Sequence, residues 1–147
     1  MSILEKINSD LVVAMKAKES GRVTALRGLK SAIKYREIEK HAGLTDEDVI
    51  AVLSSTAKKH RDSIEQYEKA GRDDLVQQEK GELEIALCYL PKQLERAEVE
   101  RLVDEVIAEL DVSGDSSFSM VMKAVMPKVK GLADGKLVKE IVQGRLS

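Results

Sequence analysis

Three lysines, Lys128, Lys130 and Lys136, stand within nine residues near the end of the chain. They surround the stretch Pro127 to Leu132, which reads as a basic loop leading to a helix start capped by Asp134. Lys123, Lys139 and Arg145 flank it. A helix N-terminus offers unpaired N–H groups and a partial positive charge, and lysines add full charges, so this set suits phosphate. The only aromatics are Tyr35, Tyr67, Tyr89 and Phe118. That scarcity argues against a platform for stacking single-stranded bases. The same lysines would equally serve as solvating charge around a small helical bundle. A second basic surface is Arg27, Lys30 and Lys34, whose spacing lines them up as one stripe of a helix.

Other reactive side chains are few. His60 falls on the apolar side of its helical pattern and reads as a packed core histidine. His41 falls at a helix C-terminus, where a cation suits the dipole. Cys88 reads as a small buried hydrophobe. Gly131, Gly135 and Lys136 resemble a phosphate-loop fragment, but only three residues separate the glycines and Leu137 stands where Ser or Thr would hold magnesium. One Cys and two His do not make a four-ligand zinc site. No nucleophile has a base at a meaningful spacing. The expectation is no catalytic residue, no metal and no cofactor.

Helices must position these groups. Apolar residues recur every three or four positions in seven segments. Ser2 and Glu5 form a capping box for a helix to about Lys18, with Ile3, Leu4, Ile7, Leu11, Val12 and Met15 on its apolar face. The second helix runs from about Arg22 to His41 and is stopped by Gly43. Thr45 caps a third, with Val49, Val52, Leu53, Thr56, His60, Ile64 and Tyr67 inward, ending at Gly71. Asp73 caps a fourth to about Leu90, with Leu75, Leu83, Ala86, Leu87 and Leu90 buried and Pro91 beyond. A fifth carries Val99 to Leu110, and Asp111 to Ser117 is loop-like. A short sixth covers Ser117 to Met126, and a seventh follows Asp134. The division falls near Pro91 to Glu95. It separates a four-helix N-terminal unit, 1–92, from a three-helix C-terminal unit, 93–147.

Composition fits this all-α reading with two small helical subdomains. The chain has 147 residues, 43% apolar and 34% charged, with 3% aromatics. β-architectures need aromatic and β-branched strands punctuated by Gly and Pro, whereas helix-forming residues dominate here. A single cysteine excludes an internal disulfide framework. The first ten residues do not look like a secretory signal, and no apolar run is long enough to span a membrane. A cytoplasmic protein is the expectation. The net charge of -2 divides into +4 over residues 1–43, -9 over 44–112 and +3 over 113–147. Such a division either directs an anionic partner to the ends or is simply the variation of solvated helix faces.

The run from Val121 to Val138 resembles the signature of the GatB/YqeY family. So do Leu26 to Lys34 with Glu37-Ile-Glu39, Arg61 to Ile64, Ala70 to Leu75, Glu79, Glu82, and Tyr89 to Leu94. These motifs span nearly the whole chain in the family's order. One departure is Ser117-Phe-Ser-Met120, where the family has an Asp-Met-Gly-Lys type sequence. The resemblance implies a bacterial, all-α protein related to the end of the B subunit of the tRNA-dependent amidotransferase. It implies tRNA as partner, with an aminoacyl-tRNA synthetase or amidotransferase as a possible second one. It also carries a transferred label of carbon-nitrogen ligase with glutamine as amido-N-donor, although the domains doing that chemistry are not in this chain. A protein-interaction module that docks such an enzyme without touching RNA is the competing reading.

Overall fold

A computed structural model describes residues 1–111 and 117–147. Among the described residues there are seven helices and no strand: α1 (Ile3–Lys16), α2 (Ser20–Lys40), α3 (Asp46–Lys69), α4 (Asp73–Cys88), α5 (Arg96–Leu110), α6 (Phe118–Val129) and α7 (Gly135–Leu146). None is long and apolar enough to cross a membrane. The expected loop from Asp111 to Ser117 falls largely on residues 112–116, which lie outside the described residues. The chain divides into two compact units, Met1–Pro91 and Lys92–Ser147.

The first unit is α1 to α4. α1 begins at the Ser2–Glu5 capping box and buries Ile7, Leu11 and Ala14. This stripe is narrower than the sequence pattern suggests. Val12 and Met15, read as part of the apolar face, are each 49% exposed, because each sits one position past a buried residue and is rotated about 100° away. α2 buries Leu26, Leu29 and Ile33, and His41 ends it in the left-handed conformation, with φ 58°. The helix therefore stops two residues before Gly43. α3 starts at a Thr45–Asp48 capping box, and α4 lies along it. Asp73 is the first residue of α4 rather than its cap; Arg72 holds the cap position and pairs with Asp74. Cys88 is exposed, contrary to its reading as a buried hydrophobe. It follows buried Ala86 by two residues, about 200° around the helix.

The second unit is α5 to α7, each packed on the other two. Its core is mostly valine: Val99, Val103, Val106, Val121, Val125, Val129, Val138 and Val142, with Ile141 and Leu146. Pro127 does not end α6. It sits inside the helix, which continues to Val129. Proline removes one rung of the hydrogen-bond ladder, yet Val121, Val125 and Val129 at four-residue spacing are all fully buried. Burying Val129 outweighs losing that rung near the helix end.

Candidate functional site

The expected basic loop is shorter than the sequence suggests. Pro127 and Lys128 belong to the last turn of α6 and Lys130 is its C-cap, so the true turn is Gly131 to Asp134. Gly131 supplies the left-handed residue, φ 77°. The N–H groups of Leu132 and Ala133 donate to the Val129 carbonyl at 2.8 and 3.1 Å. The Leu132 carbonyl accepts from the Leu94 N–H at 2.7 Å, and the Gly131 carbonyl from Gln93 Nε2 at 2.9 Å. These bonds pin the turn to the segment entering α5.

At the start of α7 the Asp134 carboxylate accepts from the Lys136 N–H at 3.3 Å, and its carbonyl accepts from the Val138 N–H. An acidic cap already occupies the place where a phosphate would meet this helix N-terminus. The backbone expected to cradle an anion thus serves the fold. Lys128 and Lys130 lie instead at a helix C-terminus, where cations also complement the dipole. The positive charge this unit presents to solvent is therefore carried by side chains. Lys123, Lys128, Lys130, Lys136 and Lys139 are all exposed. Arg145 differs. Its Nε donates to Asp104 Oδ1 at 2.8 Å, and its Nη2 lies 3.8 Å from Glu100 Oε2. The Asp104 hydrogen bond holds the guanidinium pKa above its ordinary value. This cation therefore joins α7 to α5.

The Arg27, Lys30 and Lys34 stripe lines a groove of about 640 Å³ within the first unit. Leu4, Leu11, Met15 and Ile33 also line it, with Glu37 among the basic residues. A groove with apolar walls and a cationic margin suits an amphipathic partner better than a bare phosphate chain.

His60 is not a fully buried core histidine: its side chain is 19% exposed and faces two carboxylates. Its Nδ1 lies 2.6 Å from Glu79 Oε2 and 3.8 Å from Glu82 Oε2. The sequence carries Glu79 and Glu82 among the family motifs but does not place them beside His60, because they lie 19 and 22 residues away on another helix. The i,i+3 spacing of Glu79 and Glu82 signals that they share a face. His41 is the C-cap of α2.

Comparison with known proteins adds a family and several relatives. The family described as Yqey-like protein matches residues 4–146. Several curated relatives carry the name "Altered inheritance of mitochondria protein 41, mitochondrial". The one from Lachancea thermotolerans is 37% identical over 113 residues, covering 75% of this chain and 60% of the relative. The one from Kluyveromyces lactis is 34% identical over 127 residues, covering 84% and 66%. The one from Pyrenophora tritici-repentis is 26% identical over 144 residues, covering 96% and 79%. The chain thus spans less than two thirds of the first two relatives. These names correct the expectation of a cytoplasmic protein, since they place the relatives in mitochondria. The relatives are fungal and lend no support to a bacterial origin.

Proposed function

The chain belongs to the YqeY-like protein family, and from that premise we propose that it is a tRNA-binding accessory module of aminoacyl-tRNA metabolism, acting in trans on a synthetase or amidotransferase. The resemblance to the amidotransferase B subunit supplies the partner class, and the relatives' names supply the compartment, the mitochondrion. The supporting observation is the number of exposed lysines along α6 and α7. Residues 117–147 hold six Lys or Arg against two Asp or Glu. Five of those six cations are exposed lysines, and the sixth is engaged by α5. Side-chain lysines without a backbone cradle neutralise phosphates and read no bases. Binding therefore follows tRNA shape and falls steeply with salt.

Filter binding of unfractionated tRNA to the full chain at several salt concentrations tests this. Changing Lys128, Lys130 and Lys139 to Ala leaves the fold intact and lowers the magnitude of the log–log salt slope by about 0.7 to 0.9 for each phosphate that is no longer neutralised. Unaltered binding by this variant refutes the assignment. The α1–α2 groove favours a second reading, a protein-interaction module whose partner presents an acidic amphipathic helix. Under it, changing Arg27, Lys30 and Lys34 to Ala abolishes capture of the partner enzyme, and wild-type protein shows no salt-dependent affinity for tRNA.

A further inference from the structure

Where α3 faces α4, one imidazole and two carboxylates converge. One ligand atom each from His60, Glu79 and Glu82 lie within 4.8 Å of one another. The three side chains are only 19%, 18% and 20% exposed. All three project from the middle of helices, so their backbones are held by the packing of the first unit. A single imidazole, even when protonated, offsets at most one of two carboxylate charges. A divalent cation offsets both and leaves the imidazole neutral, the form that ligates metal.

The distances support this. Zn–N and Zn–O bonds of about 2.0 to 2.2 Å at tetrahedral angles put neighbouring ligand atoms about 3.4 Å apart. The separations from His60 Nδ1, 2.6 Å to Glu79 and 3.8 Å to Glu82, straddle that value. Side-chain rotation would bring the three ligand atoms, all within 4.8 Å of one another, onto one ion.

We propose that His60, Glu79 and Glu82 form a binding site for a divalent transition metal, with three protein ligands and a fourth position left to water or an exogenous ligand. One nitrogen and two carboxylate donors suit Zn²⁺ or Co²⁺. Mg²⁺ favours six oxygens in octahedral geometry and keeps most of its water, so it competes poorly here.

The test uses the full chain without a polyhistidine tag. Co²⁺ titration followed by visible absorption, and Zn²⁺ titration by calorimetry, show one equivalent bound, with the d–d bands of a low-coordinate Co²⁺ site. Zn²⁺ raises the melting temperature and equimolar Mg²⁺ does not. Glu82→Gln is the decisive variant, because Glu82 stands outside the short His60–Glu79 contact. It keeps the apo melting temperature close to wild type, yet weakens Co²⁺ binding by more than about tenfold. His60→Gln does the same to the metal. No stoichiometric binding by the wild type overturns the proposal. So does equal binding by both variants, which would place the metal elsewhere.

Discussion

Lys40 reaches from the end of α2 to the first turn of α3, where its Nζ lies 2.6 Å from Asp48 Oδ2. The same carboxylate accepts the Thr45 N–H, while the Asp48 N–H donates to Thr45 Oγ1. The Lys40 hydrogen bond first, and the Thr45 backbone second, lower the Asp48 pKa from 3.8 to about 2. A depressed carboxylate stabilises the fold above its unfolded pKa, and the contribution is lost as pH falls through the folded value. Asp48 therefore weakens the first unit between about pH 4 and 2, and Asp48→Asn flattens the stability profile in that window. Carbon-detected NMR titration checks the cause: in Lys40→Met the Asp48 carboxyl titrates closer to 3.8. Elsewhere in the unit, the buried Tyr89 hydroxyl donates to Asp10. Burial foremost, then Asp10, raises the phenol pKa far above 10. A raised acid works in the opposite sense, so its contribution is full below about pH 10 and declines above it. Tyr89→Phe keeps the ring but leaves Asp10 without its donor. Urea unfolding should show a loss of about 1 kcal/mol at neutral pH. Neither pair is legible in the sequence. Thr45 and its acidic neighbours announce a cap, but the cation satisfying Asp48 comes from the preceding helix, and Asp10 lies 79 residues from Tyr89.

Local rules carry the helices far, and tertiary burial overrides them in identifiable places. Ser2, Thr45 and Asp134 cap as their side chains dictate. Pro127 shows the opposite outcome. A rule that ends helices at proline fails where the next valine has a core position waiting, and it makes a loop of what is the last turn of α6. The same rule misplaces Lys128 and suggests a phosphate cradle where the chain has a pinned, internally bonded turn. Periodicity also places Cys88 inward, because Leu87 and Leu90 suggest an apolar side wider than the one α4 buries. The charged stripe on α2 is readable, since one helix holds all three residues, whereas the His60 cluster spans two helices and is not. The valine core carries a quantitative consequence. Val125 is fully buried at the centre of α6. Val125→Ala removes two methyl groups' worth of burial and leaves a cavity that rigid helices close only in part. The second unit should lose about 2 kcal/mol in thermal unfolding. Met120→Ala, on the 53% exposed face of the same helix, should change stability by less than about 0.5 kcal/mol.

At the scale of the whole chain, each unit owns its core. The larger buried residues of Met1–Pro91 gather in one cluster built from α1 to α4, and those of Lys92–Ser147 in another built from α5 to α7. Size then sets their independence. A domain of about 60 residues buries only about 60% of the surface its unfolded chain exposes, so the shorter unit starts from the weaker position. It is compensated in part by eight buried valines, whose stiff side chains lose little rotamer freedom on burial, and by the bonds from Gln93 and Leu94 that tie down the turn after α6. The first unit has more residues over which to spread the entropy of folding, and its capping boxes and the Lys40–Asp48 link are all internal to it. Residues 1–91 produced alone should therefore be helical by circular dichroism and melt cooperatively. Residues 92–147 alone should be helical but melt at a lower temperature, over a broader range. In the intact chain, calorimetry should then resolve two transitions, with Val125→Ala moving one and Tyr89→Phe the other. A disordered 1–91 fragment would show that the four-helix core is completed by residues beyond Pro91, and would refute the independence argued from its internal packing.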